Sequence, residues 1–255
     1  MYSTWTRYNA FIELAIGESN VLKEIVKFLA KELPKNTLFR GRVTNPSTND
    51  QILSLEPCNL TKDEDWVWLR LNRPELLQEG AARGSEKLAK TGRKLEISQV
   101  ESSDVSNILA MIQELAIYED MLDQCKMTKE WLDEDFSAGP KFGKFDGNLC
   151  VATIAKLDGQ VVGYTVSIDF FTTSHGKETY LEDLYVKEAF RGQGIGSILL
   201  NSVSESSQSR GAAGVYWVCL AWNKKSLCFY EKMGANPLDV TFFRFEPEIQ
   251  KWMLE

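Results

Sequence analysis

Apolar residues recur along this chain at two spacings, and the spacing predicts its elements. In "NVLKEIVKFLAKEL", Val21, Leu22, Ile25, Phe28, Leu29 and Leu33 fall on one helical face, and Pro34 stops the helix. "TLFRGRV" and "QILSL" read as strands around the turn "TNPSTND". "WVWLRL" is a third, and its alternating Trp66 and Trp68 predict core packing. The stretch "QEGAARGSEKLAKTGRK", Gln78 to Lys94, holds Gly, Ala and basic residues with little large apolar content, which predicts a connector. The chain thus divides into a small N-terminal α/β region over 1–80, a linker over 81–94 and a main domain over 95–255.

In the main domain "KLEISQV" is a strand and "SSD" an N-cap, after which Val105, Ile108, Leu109, Ile112 and Leu115 keep the helical period. "TKEWLDEDF" adds a short helix. "LCVATIAKLDGQVVGYTVSIDFF" predicts two strands around a tight turn at Asp158-Gly159. "TYLEDLYV" is a further strand, and the helix "SILLNSVSESSQSR" ends at Gly211. "GVYWVCLAW" is apolar almost throughout, as a strand buried on both faces would be. "NKKSLCFYEKM" is a helix capped by Asn223 and ended by Gly234, and "VTFFRFE" supplies a last strand. The fold class is α/β (α+β).

Composition narrows the chemistry. A net charge of −7 argues against nucleic-acid binding, which needs a basic face. No apolar run approaches the ~20 residues that span a bilayer, and "MYSTWTRYNAFIELAIGESN" lacks the pattern of a signal peptide. The five cysteines are scattered without a C-x-x-C pair, so neither a disulfide framework nor a zinc site is expected, and a cytoplasmic protein is. His175, in "TTSHGK", is the only histidine. Catalysis therefore falls to carboxylates, tyrosines and backbone groups.

The candidate ligand site is "RGQGIG", between a strand and a helix. A P-loop would need Lys and then Ser/Thr after its last glycine, but Ser197 and Ile198 follow Gly196. A dinucleotide loop would need G-x-G-x-x-G, which Gly192, Gly194 and Gly196 do not match. The pattern [Q/R]-x-x-G-x-[G/A], which cradles the diphosphate of coenzyme A on backbone N–H groups and a helix N-terminus, is met by Arg191, Gly194 and Gly196.

The flanks carry the same message. "ILAMIQELAIYEDM", "MTKEWLDEDF", "VVGYTV", "YLEDLYVKEAFRGQGIGSILL" and "WNKKSLCFYEKMGA" resemble, in order and spacing, the GCN5-related N-acetyltransferase (GNAT) superfamily, in particular its diamine (spermidine/spermine) and thialysine branch. The resemblance runs from about Leu95 to the C-terminus. It implies a mixed, mostly antiparallel twisted sheet flanked by helices, with two central strands splayed to admit acetyl-CoA, and a homodimer. No metal is implied.

An alkylamine arrives protonated near neutral pH, so transfer needs a proton acceptor for the amine and a donor for the departing thiolate. The resemblance implies Glu182 as base and Tyr230 as acid. Strand alternation sends Glu182 and Asp183 to opposite faces. Asn223 and Tyr230, seven apart, share a helical face. By resemblance Leu184, Tyr185 and Val186 offer backbone groups to pantetheine and the acetyl carbonyl. The residues Arg191, Gly192, Gln193, Gly194, Ile195 and Gly196 hold the diphosphate, and Asn223 lies near the pantetheine arm. Tyr118, Glu119 and Asp120, with Glu182 and Asp183, would meet a small cationic amine. Where the diamine enzymes carry a tryptophan, "FFTTSHGKE" places His175, a departure from the family pattern that bears on polyamine specificity and not on acetyl transfer. The reading is acetyl-CoA-dependent transfer to a primary amine of a diamine-like substrate. The alternatives are lysine-like or thialysine-like amino acids, aromatic amines or a protein lysine as acceptor, and a non-catalytic acyl-CoA sensor.

Overall fold

The structure, a computed structural model, describes residues 9–13, 38–43, 60–62, 65–137, 150–172, 175–238 and 241–245. In chain order the first half contributes β1 (Asn9–Glu13), β2 (Leu38–Val43), β3 (Leu60–Lys62), β4 (Trp66–Leu71), α1 (Pro74–Lys90), β5 (Leu95–Gln99), α2 (Val105–Tyr118) and α3 (Lys129–Ser137). The second half contributes β6 (Cys150–Leu157), β7 (Gln160–Thr172), β8 (Gly176–Val186), α4 (Ile195–Ser209), β9 (Val215–Leu220), α5 (Lys224–Lys232), β10 (Ala235–Pro237) and β11 (Thr241–Phe245).

Two sheets form. A small one has the order β1-β2-β11-β3, so the last strand returns to pair with the N-terminal region. The larger has seven strands in the order β10-β4-β9-β8-β7-β6-β5. Its adjacent strands are antiparallel except β8 and β9, which run parallel, as the expected mixed sheet requires. The helix expected at 21–33 and the strand "QILSL" lie outside the described residues.

One expectation is corrected. Residues 81–90, read as linker, are the second half of a 17-residue helix. Pro74 opens α1, Glu75 sits in its first turn, and Lys87 and Lys90 close the last, all favourable against the helix dipole. Its buried residues Leu77, Gly80, Ala81, Gly84 and Leu88 form one face. That face is helical in period but built from small residues, so apolar content did not announce it. Likewise β4 belongs to the main sheet, paired along β9 from Trp66↔Leu220 to Arg70↔Tyr216.

Apolar side chains cover both faces of this sheet. On one, Val105, Ile108, Met111 and Ile112 of α2 pack on Ile154, Tyr164, Val166 and Ile168. On the other, Leu77 of α1 and Leu200 and Val203 of α4 pack on Leu69, Leu181 and Trp217. Each full burial of a large apolar side chain contributes about 1.5–3 kcal/mol. Between these layers β8 and β9 pair only at Thr179↔Val215 and Tyr180↔Tyr216. From Leu181 and Trp217 onward the two strands part, which leaves an open edge of β8 beside the glycine loop.

Candidate active site

The loop after β8 turns through a short 3₁₀ segment, Glu188–Phe190, into α4. Gly194, the N-cap, has φ +94° and Gly192 φ +73°, both in the left-handed region. Of the backbone N–H groups from Gly192 to Ser197, none has a hydrogen-bond partner among the described residues; the first ladder bond is Ile198 N–H to the Gly194 carbonyl, 3.2 Å. Six consecutive free donors at the positive end of a 15-residue helix fit a diphosphate. The run Arg191, Gly192, Gln193, Gly194, Ile195 and Gly196, expected to hold the coenzyme, is thereby brought to one end of the splayed strands.

Arg191 itself behaves differently. Its Nε donates to the Val186 carbonyl at 2.8 Å, and its guanidinium lies 5.1 Å from the Tyr118 ring centre and 5.5 Å from that of Tyr185. It fastens the loop to the strand end and to α2, and it occupies the Val186 carbonyl, one of the backbone groups of the expected pantetheine strand.

The carboxylates owe their placement to a bulge. Val166 of β7 pairs with Asp183, but the next residue, Ser167, pairs with Leu181, so Glu182 is the extra residue. Leu181 and Leu184 consequently pack on the same α4 side. The strict alternation expected for Glu182 and Asp183 is therefore corrected: two residues lie between leucines of one face, and both carboxylates come within electrostatic reach of Glu119. Asp183 is buried and accepts from the Tyr164 hydroxyl at 2.7 Å. Glu119, just past α2, is pushed up to about 8, first by burial and then by the charges of Asp183 and Glu182. Asp120, by contrast, is exposed and turns α2 off with φ +57°.

Across the cleft, α5 places two further residues. Asn223 caps it, accepting from Ser226 N–H at 3.2 Å, and its Oδ1 also accepts from the Tyr118 hydroxyl at 3.2 Å. Tyr118 meets Trp222 ring to ring at 5.8 Å, so the two sides of the splay touch at this point. Tyr230 is buried against Trp217 and Phe229, with ring centres 5.1 and 5.2 Å away. Its hydroxyl makes no hydrogen bond among the described residues. Burial, then nearby Cys219, Glu119 and Asp183, raises its pKa well above that of a free phenol, so it stays a neutral donor. Burial and then Glu119 push the Cys219 thiol up to about 12, which removes the thiolate a nucleophile needs.

The glycine loop, the carboxyl group cluster and the buried phenol thus lie around the splay of β8 and β9. Residues 115–235 match the profile of the Acetyltransferase (GNAT) family. The chain is 37% identical over 165 residues to the thialysine N-epsilon-acetyltransferase of Sus scrofa, covering 61% of this chain and 94% of that protein. The chain belongs to the GNAT family. It is an N-acetyltransferase, and acetyl-CoA is the family's acyl donor. A second relative, the spermidine/spermine N(1)-acetyltransferase-like protein 1 of Homo sapiens, is 30% identical over 164 residues, 60% of this chain and 23% of that protein. In fold, a conserved protein of unknown function from Staphylococcus epidermidis matches 95% of this chain and 86% of its own, with a TM-score of 0.56 at 14% identity. Among the described residues no helix of this GNAT enzyme is long and apolar enough to cross a membrane.

Two participants were not anticipated. Tyr164, in "VVGYTV", holds Asp183; a buried tyrosine needs a partner for its hydroxyl, and that was the available signal. Glu114 accepts from the Tyr185 hydroxyl at 3.0 Å, one turn before Tyr118, and nothing in its spacing marked it. Burial and then Glu114 push Tyr185 up to about 12.

Proposed function

We propose that this enzyme transfers the acetyl group of acetyl-CoA directly to a primary amine of a small, cationic, diamine-like substrate. The observation that carries the reading is the grouping of Glu119, Glu182 and Asp183 between the splayed strands, where the crowding of carboxyl groups that keeps a proton on Glu119 is relieved by an amine cation. Acetyl-CoA supplies the thioester. Glu182 takes the amine proton, directly or through water, and Tyr230 gives its proton to the leaving sulfur. Backbone groups of Leu184 and Tyr185 on the open edge of β8 meet pantetheine and the developing oxyanion, and the free N–H groups of the loop hold the diphosphate. Asp183, fixed by Tyr164, and Glu119 orient the cation, with Tyr118 and Asn223 forming the wall between acceptor and pantetheine. The reading includes a cytoplasmic homodimer, supported by the family resemblance; sedimentation of the purified chain tests the dimer.

A lysine-like or thialysine-like acceptor is the second reading. It is favoured by the first relative's name and by His175, which is exposed at the β7–β8 turn with Nδ1 3.8 Å from Glu178 Oε1, where the diamine enzymes have an aromatic wall. Thiol release from acetyl-CoA against spermidine, putrescine, lysine, thialysine and tyramine decides between them. Turnover on putrescine or spermidine supports the first reading and turnover on thialysine or lysine the second. Release on none of the amines contradicts both.

A further inference from the structure

Helix α1 lies outside the family-matched span, residues 115–235, yet it touches the glycine loop at three places. Gly84 packs so closely on Gly194 that a Cβ on Gly84 would stand 2.8 Å from the Gly194 carbonyl oxygen. Ser197, in the first turn of α4, holds its hydroxyl 3.1 Å from the Gly80 carbonyl. The ammonium of Lys87 donates to the Gly192 carbonyl at 2.6 Å. Lys87 is solvent-exposed, and no carboxylate pairs with it among the described residues.

We propose that α1 is part of the coenzyme site and that Lys87 serves the phosphate groups of coenzyme A. This deepens the reading above and rests on it. When successive N–H groups converge on an anion, the loop must turn a carbonyl away from it, and Lys87 holds that carbonyl. The loop is then shaped before the ligand arrives, which lowers the ordering cost of binding. The same bond sets an uncompensated positive charge behind the loop, from where it attracts the phosphate groups across the loop's width. Gly84 permits the approach, because a larger side chain there would force α1 off the loop, whereas a Cβ on Gly80 would meet the flexible end of Met233. Lys87 is thus both a positioning residue, through the loop, and a source of charge for a phosphorylated acyl carrier over a phosphate-free one.

The test uses Lys87→Met, which keeps the stem and removes the charge, and Lys87→Arg, which keeps it. Calorimetric titration with CoA should show Lys87→Met binding about five- to tenfold more weakly, with the deficit fading in about 0.5 M NaCl and largely restored in Lys87→Arg. KM for acetyl-CoA should rise by the same factor, while kcat/KM for S-acetylpantetheine, which carries no phosphate, stays at the wild-type value. Unchanged CoA affinity in Lys87→Met overturns the proposal, as does an equal loss on acetyl-CoA and S-acetylpantetheine, which would make Lys87 merely structural. Wild-type protein that fails to bind CoA would overturn the coenzyme reading itself, and this inference with it.

Discussion

Glu119 makes a quantitative test of the cleft. A glutamate in an unfolded chain titrates near 4.5, whereas Glu119 is pushed up to about 8, first by burial and then by Asp183 and Glu182. Between those values the folded protein holds a proton that the unfolded chain has lost, so stability falls as pH rises through that window. The whole shift is equivalent to about 5 kcal/mol, a ceiling reached only above the folded value. Glu119→Gln keeps the shape and removes the titration. Urea denaturation of both proteins from pH 5 to pH 9 reads the contribution, because every group not coupled to Glu119 cancels in the difference. The variant should gain on wild type by about 2–5 kcal/mol across the range, with the change centred between pH 4.5 and 8. Stability curves that run parallel would refute the reasoning. A bound amine cation should also pull the proton off, so amine binding near pH 7 should release protons in wild type and fewer in Glu119→Gln. Calorimetry in buffers of different ionisation enthalpy reads this directly.

Other substitutions probe the remaining parts. Gly194→Ala meets both a φ of +94° and a Cβ position 2.3 Å from the Gly84 Cα, so it should cost about 2–4 kcal/mol in denaturation and abolish CoA binding. Cys219→Ala should retain acetyl transfer within about threefold, because a thiol pushed up to about 12 is not a nucleophile at neutral pH; mass spectrometry should find no acetylated enzyme.

Much of the catalytic half was legible in the sequence because its signals are local. The Asp158-Gly159 turn, the Asn223 cap, the doubly buried β9 and the loop at Gly192–Gly196 each depend on residues within a few positions of one another. Three features escaped because they depend on distant partners. Helix α1 read as a linker since its inner face is Gly80, Ala81 and Gly84; two glycines each cost about 1 kcal/mol of helix propensity, and only distant partners, Met233 beside Gly80 and Gly194 beside Gly84, explain them. The bulge at Glu182 follows from the register of β7 against β8, which no single strand reveals. The choice of β4 as the neighbour of β9 joins residues about 150 positions apart, beyond the reach of any periodicity.

The most direct test of the central claim, amine acetylation with Tyr230 as proton donor, is the Tyr230→Phe variant in the thiol-release assay. The ring stays packed on Trp217 and Phe229, and the lost hydroxyl makes no hydrogen bond among the described residues, so melting and CoA affinity should hold. Amine-dependent kcat should fall about 10²- to 10⁴-fold. Undiminished turnover by a folded Tyr230→Phe enzyme would contradict the account.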